Sequence, residues 1–418
     1  MPSDRVMTMI PVRIPSETLA VNGGMPVRST PLPPWPHFAD DEIDAVHAVL
    51  ASGKVNYWTG TECAEFEKEF ATYVGTRYAV ALANGSVALE LALHALGIGP
   101  GDDVIVTCRS FVASASCAVL RGARPVFADV DPVSQNVTAE TVRAALTPRT
   151  RAIIAVHLAG WPCDMDPLLE VARSRGIAVI EDCAQSHGAT YKGRVTGSLG
   201  DVAAFSFCQD KIISTGGEGG MLLTNDRAVW EMAWSYKDHG KNYDAVFKRQ
   251  HPPGFRWVHE SFGTNWRMTE MQATIGRRQL GKLPQWLAGR RRNAALMDAA
   301  LAHVPGLKIH VPSSEFGHAY YKYYAFFNPQ RLNPGWDQER IIDAINAEGI
   351  PCVAGSCSEV YLEKAFVDRG LTPAVRHANA RRLDETSITF MVHPTLTERD
   401  IQDTCEAIAK VMAVAARD

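Results

Sequence analysis

Seven short runs rich in Val, Ile and Ala constrain the fold of this chain more than any other feature. They occupy residues 78–83, 104–107, 125–128, 152–157, 177–181, 202–207 and 221–224. Within most of them apolar residues follow one another instead of alternating with polar ones. That is the pattern of strands covered on both faces. Helical periodicity over 86–96, 111–120, 139–146 and 166–175 supplies the covers. The sequence therefore predicts an α/β fold, with a mostly parallel seven-stranded sheet sandwiched by helices. Such sheets bind ligands outside the carboxyl ends of their strands. Residues just past each run are thus the first candidates for chemistry.

The chain has 418 residues, long for one domain and comfortable for two. Past residue 269 the pattern changes. A long helix is expected to run from there beyond 292, broken near Pro284, followed by a strand-like stretch over 318–327 and a closing helix over 398–415. We expect an N-terminal extension (1–33), a large cofactor-binding domain (34–293) and a small C-terminal α+β domain (294–418). The leader as far as Leu19 holds Pro11, Arg13 and Pro15 within its apolar stretch, which spoils a signal-peptide core. It reads as a poorly ordered extension.

A net charge of −4 without a long basic run gives no case for nucleic acid. No apolar segment is long enough to span a bilayer, so no membrane partner is expected. The nine cysteines include no Cys-x-x-Cys pair. Neither a zinc site nor a disulfide framework is expected, and the reading is a reduced, cytoplasmic protein with no metal.

Lys211 stands just past the run ending at Phe207 and just before Gly216-Gly217-Glu218-Gly219-Gly220. An amine at a strand end in a polar cleft suits Schiff-base chemistry with a carbonyl cofactor. Asp182 follows another apolar run and suits the ring nitrogen of that cofactor, although a helix N-cap is the plainer reading of such a residue. Together the two point to pyridoxal phosphate. Gln185 is either a donor to the ring hydroxyl or a turn amide, and His187 reads as a satisfied structural histidine. Asn84-Gly85-Ser86 closes a strand and opens a helix, a ready anion site to which Ser206 could add a hydroxyl. Phe111 is placed either to stack on a flat ring or to fill core. No Gly-x-Gly-x-x-Gly follows the early strands, so a dinucleotide lacks its usual support.

These stretches resemble the DegT/DnrJ/EryC1/StrS family of sugar aminotransferases, from about Pro34 to Thr395. The resemblance rests on Gly85–Leu89, Gly101–Ile105, Glu181–Gln185, Ser206–Lys211 with the glycine loop, Asn265–Met268 and His393–Thr397. It implies the fold of pyridoxal-phosphate enzymes of fold type I. It also implies that Lys211 bonds to the cofactor aldehyde, Asp182 pairs with the ring nitrogen and Phe111 stacks on the ring. Gly85, Ser86 and Ser206 would hold the phosphate. Asn265 would reach it from the partner subunit, in an obligate homodimer with shared active sites. Two stretches depart from the family pattern: Thr107-Cys108-Arg109-Ser110-Phe111, and Ser358–Leu362, which lacks a histidine found in many relatives.

The implied reaction moves an amino group from L-glutamate, or glutamine, to a keto sugar, most simply a nucleotide-linked one. Lys248, Arg256 and Trp257, in the basic and aromatic segment 243–257, either grip that nucleotide sugar across the dimer or make a dimer contact. Two rivals stand beside this reading. One is a keto-inositol acceptor, which the stretch Asn56-Tyr57-Trp58-Thr59-Gly60 also resembles. The other is a catalytically silent regulator that binds pyridoxal phosphate.

Overall fold

The computed structural model describes residues 18–417, and most of the expected leader, residues 1–17, lies outside them. The seven runs form one sheet: β1 Tyr78–Leu82, β2 Asp103–Thr107, β3 Arg124–Ala128, β4 Thr150–Val156, β5 Ala178–Asp182, β6 Val202–Ser206 and β7 Gly220–Thr224. Their order is β1-β7-β6-β5-β4-β2-β3. β7 is antiparallel to both of its neighbours, and every other pair is parallel.

Alternate residues of each strand enter different cores, which is why the runs are apolar throughout. Val104 and Val106 join Ile154, Ile180 and Leu222 under Leu89 and Leu93 of helix Gly85–Ala95. Ile105, Ile153 and Val179 face the other way, onto Val142, Leu168 and Leu169. Next to them, Phe66 and Phe70 of helix Glu62–Val74 pack on Phe205 and Phe207, with ring centres 5.0–5.4 Å apart. Removing any one of these rings would cost about 3–5 kcal/mol. The Gly101–Ile105 stretch has a structural use. Asp103 takes two hydrogen bonds from Arg124 and one from Thr147, locking the start of β2 to β3. The Arg124 guanidinium pushes its carboxyl down to about 2.

A second core gathers around a three-stranded sheet of Leu307–Lys308, Tyr323–Phe327 and Ser387–Phe390, with helices Gln338–Ala347 and Glu398–Ala415. The expected break at Pro284 does not occur. One helix spans Glu270–Leu301, opened by a Thr269–Gln272 capping box. Pro284 forfeits one hydrogen bond, at a cost of about 3 kcal/mol. Burial of Leu280, Leu283 and Leu287 on the large sheet's side outweighs it, each worth about 1.5–3 kcal/mol. Further along, Ala294, Met297 and Leu301 of the same helix enter the second core. We propose that the chain divides into its large and small domains at this passage, near residue 294.

The strand-like stretch expected over 318–327 is shorter than predicted. Only Tyr323–Phe327 pairs with the sheet, because the amides of Ala319 and Tyr321 donate instead to the carbonyls of Gly160 and Ala159. The basic segment past 241 contains a short helix, Tyr243–Phe247, capped by Asn242. Residues following the leader are docked. Leu19 is buried in the second core, and Arg28 pairs with Asp400 and Asp403. Glu348, fully buried, accepts from the amides of Ala20 and Val27 and pairs with Lys410 at 2.8 Å. Glu348→Ala leaves Lys410 buried without a counter-charge. Urea unfolding should register a loss of about 3–5 kcal/mol, whereas a loss below about 1 kcal/mol would mean that the amides and the lysine find other partners.

Candidate active site

A cleft of about 850 Å³ opens at the carboxyl ends of β1, β5 and β6. Gly85, Ser86, Phe111, Asp182, Gln185, Ser206 and Lys211 all line it. Asn265, Lys248, Arg256 and Trp257 do not. They are exposed, Lys248 pairing with Asp244 at 2.8 Å and Arg256 and Trp257 sharing a shallow depression with His259. Of the inositol-like stretch, Tyr57 lies under the Lys237 amine and Trp58 packs on Phe255, both outside the cleft.

Lys211 sits in the turn that leaves β6. Its amide donates to the carbonyl of Cys208, and its carbonyl accepts from the indole of Trp35. The amine points into the cleft, 3.4 Å from the Tyr321 hydroxyl and 3.8 Å from Asp210. The Tyr321 hydroxyl in turn donates to Asp210. Trp35 and Tyr321 thus hold this side chain from both ends.

Glu181 and Asp182 are consecutive, and the alternation of a strand sends their carboxylates to opposite faces. Glu181 accepts from His157 and from the amides of Gly197, Leu199 and Gly200. Burial pushes its carboxyl up, but these donors outweigh it and hold the group below the usual range. His157, Glu181 and Cys183 also bring three metal-type ligand atoms together. The imidazole is committed, since its Nδ1 accepts from the Cys163 amide and its Nε2 donates to Glu181. Asp182 faces the cleft instead. It accepts from the Ser114 hydroxyl at 2.7 Å and the Ala184 amide at 3.1 Å, and burial nevertheless raises its pKa. A desolvated carboxylate of this kind gains from a fixed positive partner.

Gln185 is oriented by its own carbonyl oxygen, which accepts from the Ala159 amide at 2.7 Å and so leaves its amide hydrogens to the cleft. His187 departs from expectation. It is fully buried beside Phe205 and Phe207, and neither ring nitrogen has a hydrogen-bond partner among the described residues. Burial, helped by the nearby Lys211 charge, pushes its pKa down to about 3 and keeps the ring neutral.

The cleft fits pyridoxal phosphate at the points where the chain is most constrained. A Cβ on Gly85 would lie 2.5 Å from the Ser206 Cβ. The bare backbone at the start of helix Gly85–Ala95 therefore touches the end of β6, beside the hydroxyls of Ser86 and Ser206. The first amides of a helix have no acceptor within it, and an anion satisfies them. Asp182 has a buried carboxylate of the kind that would suit the ring nitrogen, and Phe111, 66% exposed, lines the cleft where a flat ring would sit.

Sequence reasoning missed Ser114, Tyr321, Lys322 and Asp210. Ser114 carries a usable signal, since it lies one helical turn past Ser110 and their hydroxyls are 2.8 Å apart. Tyr321 and Lys322 carry none, being masked inside a strand-like run.

The model of the DegT/DnrJ/EryC1/StrS aminotransferase family matches residues 36–409. GDP-perosamine synthase of Caulobacter vibrioides is 38% identical over 84% of this chain and 91% of its own. L-glutamine:2-deoxy-scyllo-inosose aminotransferase of Streptomyces kanamyceticus is 35% identical over 95% of this chain and 97% of its own. The crystal structure of an aminotransferase from Psychrobacter cryohalolentis superposes with a TM-score of 0.90 at 53% identity, covering 92% of this chain and 99% of that one.

Gly85→Ala should push Ser206 aside and weaken pyridoxal phosphate binding by about 10–100-fold, the worth of one charge-assisted hydrogen bond. Titrating the stripped protein with the cofactor and following its absorbance measures this. An unchanged affinity would mean that the Gly85 backbone takes no part in holding the cofactor.

Proposed function

The chain belongs to the DegT/DnrJ/EryC1/StrS aminotransferase family, and from that premise we propose that its acceptor is a nucleotide-linked keto sugar. Its class is pyridoxal-phosphate-dependent sugar aminotransfer, on the fold of type I enzymes. The donor in this proposal is L-glutamate or L-glutamine, and the working form is a cytoplasmic homodimer. No helix among the described residues is long and apolar enough to cross a membrane. The observation that carries the acceptor is the size of the cleft. At about 850 Å³ it lies near the top of the range for small-molecule sites, roughly 300–1,000 Å³. It continues from Lys211 past Phe111 to Leu120 and Glu363, which leaves room beyond the cofactor for more than a single sugar ring.

When bound, pyridoxal phosphate supplies an aldehyde that takes up amines and a ring that accepts the electron pair freed at the neighbouring carbon. Lys211 holds the aldehyde at rest. Freed from the aldehyde by the donor amine, Lys211 would be the base placed to take the proton from the donor's α-carbon. In the second half of the reaction Lys211 works in reverse, delivering a proton to the acceptor carbon that receives the amine. Asp182 keeps the ring nitrogen protonated, held in place by Ser114. Gln185 donates to the ring oxygen. Gly85, Ser86 and Ser206 seat the phosphate, and Phe111 covers one face of the ring. Asn265 completes the phosphate site from the partner subunit. Lys248, Arg256 and Trp257 lie outside their own chain's cleft, and in the dimer we assign them to the diphosphate in the neighbouring one.

A keto-inositol acceptor is the second reading. It is favoured by the Streptomyces kanamyceticus enzyme, whose similarity spans more of this chain than that of the GDP-perosamine synthase. Such an acceptor has no diphosphate to grip.

Lys211→Ala should lower turnover by at least ~10²–10⁴-fold, the usual worth of a positioned acid–base group. Turnover near that of the unmodified enzyme would end this assignment. Acceptors can be offered singly to the enzyme carrying the aminated cofactor. A nucleotide-linked keto sugar should restore the original absorbance and a keto-inositol should not, and the reverse result would select the second reading. Charge removal by K248Q with R256Q should raise the acceptor KM by about fivefold, in keeping with two solvent-exposed contacts, and leave the donor KM unchanged.

A further inference from the structure

Lys322 lines the same cleft as Lys211 and has no carboxylate within ion-pairing distance among the described residues. The polar contact of its amine is with the sulfur of Met391, at 3.3 Å. Both lysine amines lie within 5.1 Å of the centre of the Tyr321 ring. Asp210, an acid beside this pair, is engaged by the Tyr321 hydroxyl and by Lys211. Behind Tyr321, Arg290 is fully buried. It donates to the carbonyls of Tyr320 and Tyr321, and among the described residues it faces no carboxylate and its Nε has no partner. Arg290 behind this segment and Lys322 within it are thus both cations without an ion-paired carboxylate among the described residues. Burial lowers the pKa of Lys322, as it does for a charge removed from water without a partner. A cation held in this way is completed by an anion from outside the chain.

We infer that Lys322 binds the α-carboxylate of the amino donor. This rests on the reading of Lys211 as the reacting amine. An α-amino acid carries its carboxylate on the carbon that Lys211 must deprotonate, so its counter-ion has to stand beside Lys211. The diphosphate of a nucleotide sugar is attached to the sugar ring away from the ketone, and its partner belongs further out in the cleft. The proximity of Lys322 to Lys211 therefore favours the donor.

Lys322→Met and Lys322→Arg, both loaded with pyridoxal phosphate, test the inference in single-turnover measurements of each half-reaction. The methionine variant should weaken L-glutamate and L-glutamine by about 10–100-fold, the range for one charge-assisted hydrogen bond. The acceptor constant should stay within about twofold, and the arginine variant should recover most of the donor affinity. n-Propylamine, which lacks the carboxylate, should react at the same rate with the methionine variant as with the unmodified enzyme. Unchanged donor constants would overturn the inference, as would a loss confined to the acceptor, which would make Lys322 an acceptor contact. A merely structural role would weaken the cofactor and both substrates alike, and that too would overturn it. Failure of the underlying reading is visible separately, as turnover that survives Lys211→Ala.

Discussion

Two missing side chains allow the cleft to exist. The turn that leaves β1 passes over the start of β7, where a Cβ on Gly220 would lie 2.3 Å from the Asn84 carbonyl oxygen. It then comes into contact with the end of β6 at Ser206, where Gly85 must also be bare. β7 is the one antiparallel strand of the sheet, so its beginning lies beside the carboxyl ends of β1 and β6. The helix start after β1 and the lysine turn after β6 are thereby brought to one site, although a whole strand separates them in the sheet. The helix start at Gly85 and the turn that carries Lys211 share one cleft because of this approach.

Charge is arranged around that geometry by alternation along β5. Glu181 turns inward and is satisfied by one imidazole and three amides, so it fixes the loop through Gly197–Gly200. Asp182 turns outward and is left with one hydroxyl and one amide. The inner acid is stabilised in its charged form by the protein itself. The outer acid is desolvated and left to face the cleft. The same division holds among the cations. Arg277 and Arg124 are paired with carboxylates, whereas Lys322 and Arg290, nearer Lys211, have no carboxylate partner among the described residues.

The sheet was legible because burial on both faces imprints an unbroken apolar run on each strand. The places of Asp182 and Lys211 in the cleft could be read because each lies past such a run, Asp182 immediately and Lys211 in the turn that follows. Local patterns could not reveal what distant backbone decides. Tyr321 and Lys322 sit in a tyrosine-rich stretch that reads as strand. They leave the sheet only because amides at 319 and 321 find the carbonyls of Gly160 and Ala159. Pro284 signals a break that packing overrides. His187 looked like a histidine with partners, but its neighbours are phenylalanines. The basic segment over 243–257 was read for its composition, which says nothing about whose cleft it faces.

The helix Glu270–Leu301 contributes side chains to both cores without interruption. A flexible connector would let each core melt or tilt by itself. A continuous rod instead carries torque, so a rotation of the second core relative to the large sheet must bend the helix or shear the packing of Leu283 and Leu287. Tyr321 is bonded through its amide to the large sheet's side and through its carbonyl to Arg290 of the same rod, so such a rotation would also strain the hold on the residue beside Lys211.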